Sequence, residues 1–367
     1  MTDPRLVRYA QLICEHSLAI DESHSLLVST PPAGGPLAVA TAREAWRRGA
    51  RVSVSMAPEW SRSDRLRDGS DAQVAYLDPA ALETVDRFDR WLFVWAPGNT
   101  SELAGISSER DAAMARSRKP WSDRHDERET AGELRWVGAA YPTALGAQTA
   151  RMGTAAWERF VYSALLLDEP DPVAAWRALS ERHERLIDRL TGVRELRVVS
   201  DRTDLRVNVE GRPWESCAGA ANLPDGEVFC CPPQGGVEGE IVFDVPSLQN
   251  GRVCRDVRLR FDAGVVVDAS AALGEDVLLA RLDTDEGARR AGEFAIGTNQ
   301  MVQRAVGDTL FDEKIGGTCH LALGSSFPLL GGDNESAIHW DLICDLRSGG
   351  RIEADGEPLL VDGKLMV

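Results

Sequence analysis

Glu227, Glu293, His320, His339 and Asp341 lie in short segments that read as strand ends or tight turns, and all five have side chains that ligate divalent metals. In Ile338-His339-Trp340-Asp341-Leu342 apolar and polar residues alternate. A strand there sets His339 and Asp341 on one face, about 6.5–7 Å apart. Gly316-Gly317-Thr318-Cys319-His320-Leu321-Ala322-Leu323-Gly324 places a second histidine between glycines, where a backbone can turn sharply or approach a ligand closely. Imidazole and carboxylate together suit zinc, cobalt, manganese or iron, and a carboxylate can bridge two ions where an imidazole cannot. Three carboxylates with two histidines therefore lean toward two metals.

The elements that must carry these residues change character along the chain. Helical spacing over 5–19, a strand at Ser25–Ser29, a helix over 36–48 and strands at Arg51–Ser55 and Trp91–Trp95 alternate in the manner of a parallel, helix-covered sheet. The run Pro31-Pro32-Ala33-Gly34-Gly35-Pro36 lacks the spacing of a phosphate-binding loop, and its prolines remove amide donors. Residues 107–130 crowd charge into a solvated helix or exposed loop, so His125 there, and His183 in a second charged stretch, read as surface residues. Helices follow over 150–192. From Leu196 the period becomes two, with short strands near 195–199, 205–209, 240–244, 257–261 and 264–268. The pattern predicts an α/β domain over 1–195 and a β-rich metal-binding domain over 196–367.

Composition narrows the partners. The 367 residues are 43% hydrophobic, enough for two cored domains. With 41 Lys+Arg against 58 Asp+Glu the net charge is −17, which disfavours nucleic acid and anionic membrane surfaces. Seven cysteines without a CxxC pair indicate neither a disulfide framework nor a zinc ribbon, and they fit a reducing cytoplasm. The start Met1-Thr2-Asp3-Pro4-Arg5 does not read as a signal peptide, and no apolar run is long enough to cross a bilayer.

Longer motifs carry a resemblance. Leu134-Arg135-Trp136 with Tyr141-Pro142-Thr143, Asn222-Leu223-Pro224-Asp225-Gly226-Glu227-Val228-Phe229, Gly292-Glu293-Phe294-Ala295-Ile296-Gly297-Thr298-Asn299, Phe311-Asp312-Glu313-Lys314-Ile315-Gly316-Gly317-Thr318 and Ile338–Leu342 resemble the metallo-aminopeptidase family of the aminopeptidase T and aminopeptidase S type. The resemblance runs over essentially the whole chain. It implies an α/β N-terminal domain, a β-rich C-terminal domain holding two divalent ions (zinc, cobalt, manganese or magnesium), and homodimers acting on peptides. It puts the metal ligands on Glu227, Glu293, His320, His339 and Asp341, with Glu227 or Glu293 also taking a proton from water.

Two positions depart from that pattern. Phe327 stands where the family has a tyrosine, and a phenyl ring offers no oxygen. Cys230-Cys231 stands where the family more usually has Thr-Ala; strand alternation from Glu227 puts Cys231 on the ligand face, although a buried apolar cysteine explains it as well. Lys314 is expected either to steady a substrate carbonyl or to pair with Asp312 or Glu313. A second reading of the same scaffold is a mononuclear Fe(II) ring-cleaving oxygenase, resembling 2,5-dihydroxypyridine dioxygenases with their two histidines and one aspartate, a triad that His339 and Asp341 would suit. A third is a non-catalytic descendant.

Overall fold

The computed structural model describes residues 3–99, 101–249 and 251–366. They form two compact units, Met1–Ala174 with Gly219–Pro224, and Ala175–Ala218 with Asp225–Val367.

The first unit is built on a parallel sheet. Its strands β1 (Ser25–Thr30), β2 (Arg51–Met56), β3 (Arg90–Trp95) and β4 (Arg135–Ala140) run in the order β2-β1-β3-β4, with the short strand Asn222–Leu223 added beside β4. Helices connect them, as right-handed parallel crossovers require. Leu26, Val28, Leu92 and Val94 are buried, as are Leu37 and Ala38 of the helix Gly35–Arg47. Gly34 opens that helix because a Cβ there would lie 2.4 Å from Thr30 Oγ1 and 2.5 Å from Val94. Its role is close packing.

The stretch 107–130 is largely solvated, as expected, but His125 within it is not the surface residue its charged neighbours suggested. Helices Ser108–Ser117 and Lys119–Thr130 form, and the second buries His125. The imidazole stacks on Trp121 one turn earlier, with ring centroids 5.3 Å apart, and meets Trp91 and Trp136. Arg128 is buried too and donates to Val85 O and Phe88 O.

The second unit holds two antiparallel sheets. One has nine strands, among them Glu195–Ser200, Thr203–Asn208, Val237–Phe243, Arg252–Asp262 and Val265–Leu273. The other has five: β5 (Glu215–Cys217), β6 (Glu227–Cys230), β7 (Ala291–Gly297), β8 (Thr318–Gly324) and β9 (His339–Asp345), each paired antiparallel with the next. Val228, Phe294, Ile296, Leu321, Leu323, Trp340 and Leu342 on one face of this sheet join a single apolar core with Leu205, Ile241 and Leu259 of the larger sheet and with Leu186 and Leu190 of the helix Pro172–Leu190.

His183 of that helix is not a surface residue either, being 1% exposed. Its Nδ1 is 2.9 Å from Ser216 Oγ and its Nε2 2.7 Å from Thr298 Oγ1, so one imidazole ties β5 to the end of β7. Arg182 and Glu184 made the segment look solvated, but the helix turns His183 inward between two hydroxyls.

Burial, and then the charges of Arg182 and Lys314, push His183 down to about 4 from its usual 6.5. The unfolded chain therefore binds a proton between pH 6.5 and 4 that the folded chain refuses, and stability falls as pH drops through that window. We predict that the His183→Gln variant loses about 3 kcal/mol less than the native chain between pH 6.5 and 4. Urea unfolding at stepped pH in chelator checks this, and parallel slopes for the two proteins would refute it.

Candidate metal centre

Strand register assembles the centre on one sheet face. Glu227 pairs with Gly297, Glu293 with Ala322, His320 with Ala295, Asp341 with Ala322 and His339 with Gly324. Each large polar side chain thus has a glycine or alanine opposite it on at least one neighbouring strand, although Ile343 and Cys217 face His320 and Glu227 from the other side, and this leaves room above the sheet for the carboxylates and rings to converge. The intervening residues are the apolar set facing the core, so alternation gives these strands one apolar face and one face that carries the buried polar side chains.

Two glycines bring the backbone into place. Gly226 has φ +130° and sits where a Cβ would be 2.7 Å from Asn299 Cβ. Its turn is held by Thr298 N donating to Gly226 O and by Asn299 Nδ2 donating to Asp225 O, both at 2.8 Å. Gly324 has φ +100°, and a Cβ there would be 2.1 Å from Ile338 O. Substitution at either position strains the strand end carrying Glu227 or His339.

All five residues singled out from the sequence are brought together. His320 Nε2 is 3.3 Å from Glu293 Oε1 and 3.5 Å from Glu227 Oε2; His339 Nε2 is 3.4 Å from both Glu293 Oε2 and Asp341 Oδ1. Ligand atoms of Glu227, Glu293 and His320 lie within 4.8 Å of one another, as do those of Glu293, His339 and Asp341, so two groups of three share Glu293. His339 Nδ1 donates to Ser325 O at 2.8 Å, which leaves Nε2 facing the carboxylates. Glu227 Oε2 and His320 Nδ1 are buried without a hydrogen-bond partner. A buried carboxylate oxygen left without a donor fits a cation.

The electrostatics point the same way. Burial opposes a charge on His320 and His339, but contacts with Glu293, Glu227 and Asp341 outweigh it and lift them to about 9 and about 11. Burial likewise works to raise Asp341, and His339 and His320 hold it below the usual carboxylate range. Without a metal, the cluster gathers protons as its positive charge.

Sequence reading missed part of the network. Lys314, 1% exposed, sits 2.6 Å from Glu227 Oε1, 2.8 Å from Glu313 Oε1 and 3.5 Å from Asp225 Oδ1. Asp312, its other expected partner, instead accepts from Val306 N and Gly307 N. Glu313 falls within ligand distance of His320 and Asp341. Burial, opposed by Lys314 and helped by Glu227 and Asp341, pushes its carboxyl well above the usual range. Cys217 lies beside Asp225 and Glu227 with its thiol pushed far up by burial, so it stays protonated. Both Asp225 and Glu313 lie in motifs quoted above, but in turns, where no periodicity signals the direction of a side chain.

The departures have clear positions. Cys230 faces the core, while Cys231 Sγ accepts from Phe327 N at 3.4 Å. Cys231 joins none of the ligand groups. The Phe327 ring meets Phe229 at 5.3 Å and His339 at 5.4 Å, both edge-on.

Comparison with known proteins follows this geometry. A family described as thermophilic metalloprotease (M29) matches residues 2–364. The chain belongs to that family. It is 27% identical to aminopeptidase 2 of Geobacillus stearothermophilus across 98% of this chain and 97% of that protein. With aminopeptidase T of Thermus aquaticus it shares 33% identity over 62% of this chain and 60% of the relative. The fold superposes on wild-type AmpT from Thermus thermophilus with a TM-score of 0.84, covering 99% of each chain at 24% identity. The metalloprotease is thus a hydrolase that works with divalent metal. The ring-cleaving oxygenase finds no support here, since Glu227 and Glu293, which a mononuclear histidine-rich iron site does not need, are built into the centre.

Replacing Lys314 with Met leaves Asp225, Glu227 and Glu313 without their shared cation. We expect a loss of about 3–5 kcal/mol in urea unfolding. A variant within 1 kcal/mol of the native chain would show that the buried lysine is dispensable.

Proposed function

We propose that this metal-dependent aminopeptidase removes N-terminal residues from peptides using two divalent ions, zinc, cobalt, manganese or magnesium, held by Glu227, Glu293, His320, His339 and Asp341. The observation that carries the reading is the sharing of Glu293 between two three-residue groups. Divalent ions bound there would supply a water of lowered pKa and polarisation of the scissile carbonyl.

The chain's own residues divide the remaining work. Glu293 spans the two groups, and His339, fixed by Ser325 O, keeps one ring nitrogen aimed at the cluster. Glu227 is held by Lys314 at one oxygen, and its other oxygen, 3.5 Å from His320 Nε2, accepts no hydrogen bond. Either Glu227 or Glu293 would take the water's proton. Glu313, whose burial keeps a proton on it closer to neutral pH than an ordinary carboxyl, is suited to store that proton for the departing amine. Seven free thiols fit a reducing cytoplasm, no described helix is long and apolar enough to span a membrane, and the family resemblance supports a homodimer.

Glu227→Gln and His339→Ala are each expected to cut turnover of a leucyl chromogenic amide by at least about a thousandfold, roughly 4 kcal/mol of barrier, while far-ultraviolet circular dichroism stays native. Undiminished turnover in both purified variants would defeat the assignment.

A further inference from the structure

The first unit contains a cleft that the catalytic cluster does not use. It has a volume of about 1140 Å³ and runs along one face of the parallel sheet, over Leu27, Ser53, Trp91 and Trp136, to the carboxyl ends of β1, β2 and β3, where open parallel sheets usually bind ligands. Trp91, Trp95, Trp121 and Trp136, four of the chain's ten tryptophans, line it with Phe88 and Phe93. Along β3 the cover thins: Trp91 is 4% exposed, Phe93 is partly buried, and Trp95 is 59% exposed. Trp91 stacks on Phe93 at 5.0 Å, and Trp121 and Trp136 stand edge-on to that pair. The aromatic faces are thus fixed before any ligand arrives, which lowers the cost of binding.

The cleft also has one uncommitted charge. Arg118 lies over the Trp121 ring at 5.1 Å and makes no ion pair among the described residues. Partial desolvation, and then the charges of Arg62 and Arg65, work against its own charge, so an anion beside it would be favoured. Glu59, the carboxylate in the lining, is occupied by Gly98 N at 2.8 Å. Ser53, Ser55 and Asn222 line the cleft with no side-chain hydrogen bond among the described residues, and β2 pairs on one side alone. In a chain of net charge −17, an unpaired arginine beside half-buried aromatic rings selects a carboxylate attached to an aromatic group.

We propose that this cleft binds an aromatic residue carrying a free carboxylate, as at the C-terminus of an apolar peptide. The aromatic side chain lies among the tryptophans, the carboxylate lies on Arg118, and the peptide backbone meets Ser53, Ser55 and Asn222. The volume exceeds what one residue fills, which favours a peptide over a released amino acid. The peptidase reading supplies the source of such molecules; the binding does not depend on turnover.

The test uses the full-length protein, isothermal titration and probes whose acetyl cap prevents aminopeptidase cleavage. N-acetyl-tryptophan is expected to bind at least about tenfold more tightly than N-acetyl-tryptophanamide. Arg118→Met and Trp95→Ala are each expected to weaken the acid by about tenfold and leave hydrolysis of the leucyl amide unchanged. Tighter binding of N-acetyl-Leu-Leu-Trp than of N-acetyl-tryptophan assigns the cleft to peptides; equal binding assigns it to the product amino acid. Equal affinity for acid and amide, or native affinity in Arg118→Met, overturns the proposal. So does loss of probe binding in Glu293→Gln, which would place the probe at the catalytic cluster, and so does sedimentation showing that Trp95→Ala dissociates a dimer, because a second copy would then cover the face. Absence of hydrolysis with probe binding intact would count against the peptidase reading alone.

Discussion

The second unit is organised around buried negative charge that needs a cation. Asp225, Glu227, Glu293, Glu313 and Asp341 converge on one side of a single sheet, against one lysine and two histidines. Carboxylates removed from water must be paired, protonated or bound to metal. Lys314 answers one end of the cluster. At the other end His320 and His339 take protons in the metal-free protein, and divalent ions can replace those protons. The orphaned oxygen of Glu227 lies between the two ends.

That constraint reaches into the sheet through residue size. A cluster this dense needs space, and the register supplies it by placing Gly297, Ala295, Ala322 and Gly324 opposite the ligand side chains. It also needs an unmoving base, which comes from the opposite face, where the same strands bury Phe294, Leu321, Trp340 and Leu342. A slip of one residue in any of these pairings would send a carboxylate into the core and a leucine into the site. His183 secures the rim, because Thr298, which it holds, also binds the turn ahead of Glu227.

What the sequence disclosed follows from periodicity. The alternation of His339-Trp340-Asp341 and the strands after residue 195 were legible because a strand sorts its side chains by parity, and the parallel sheet was legible because apolar strands alternated with helices. The five candidate ligands were legible through motifs that include them. The Lys314–Glu313 pair was legible from adjacency, whereas Asp225 and Glu227 as further partners of Lys314 were hidden because turns have no parity. His125 and His183 were misread because charged neighbours on a helix report on the outer face, while burial depends on distant partners: tryptophans for one, two hydroxyls for the other.

Phe327 shows how much the ligand set tolerates. In the resembling family a tyrosine oxygen belongs at this position, and its loss invites the inference that a metal is lost with it. The geometry does not require that loss. Each of the two groups sharing Glu293 reaches three protein ligands without residue 327, the number that catalytic zinc sites commonly use while keeping a position open for water or substrate. The phenyl ring is not idle, since it packs edge-on against both His339 and Phe229, and its backbone N–H is held by Cys231. Phe327 thus braces the imidazole of His339, and the Cys231 thiol holds the brace. The two departures from the family pattern touch each other, the Phe327 backbone N–H resting on the Cys231 sulfur.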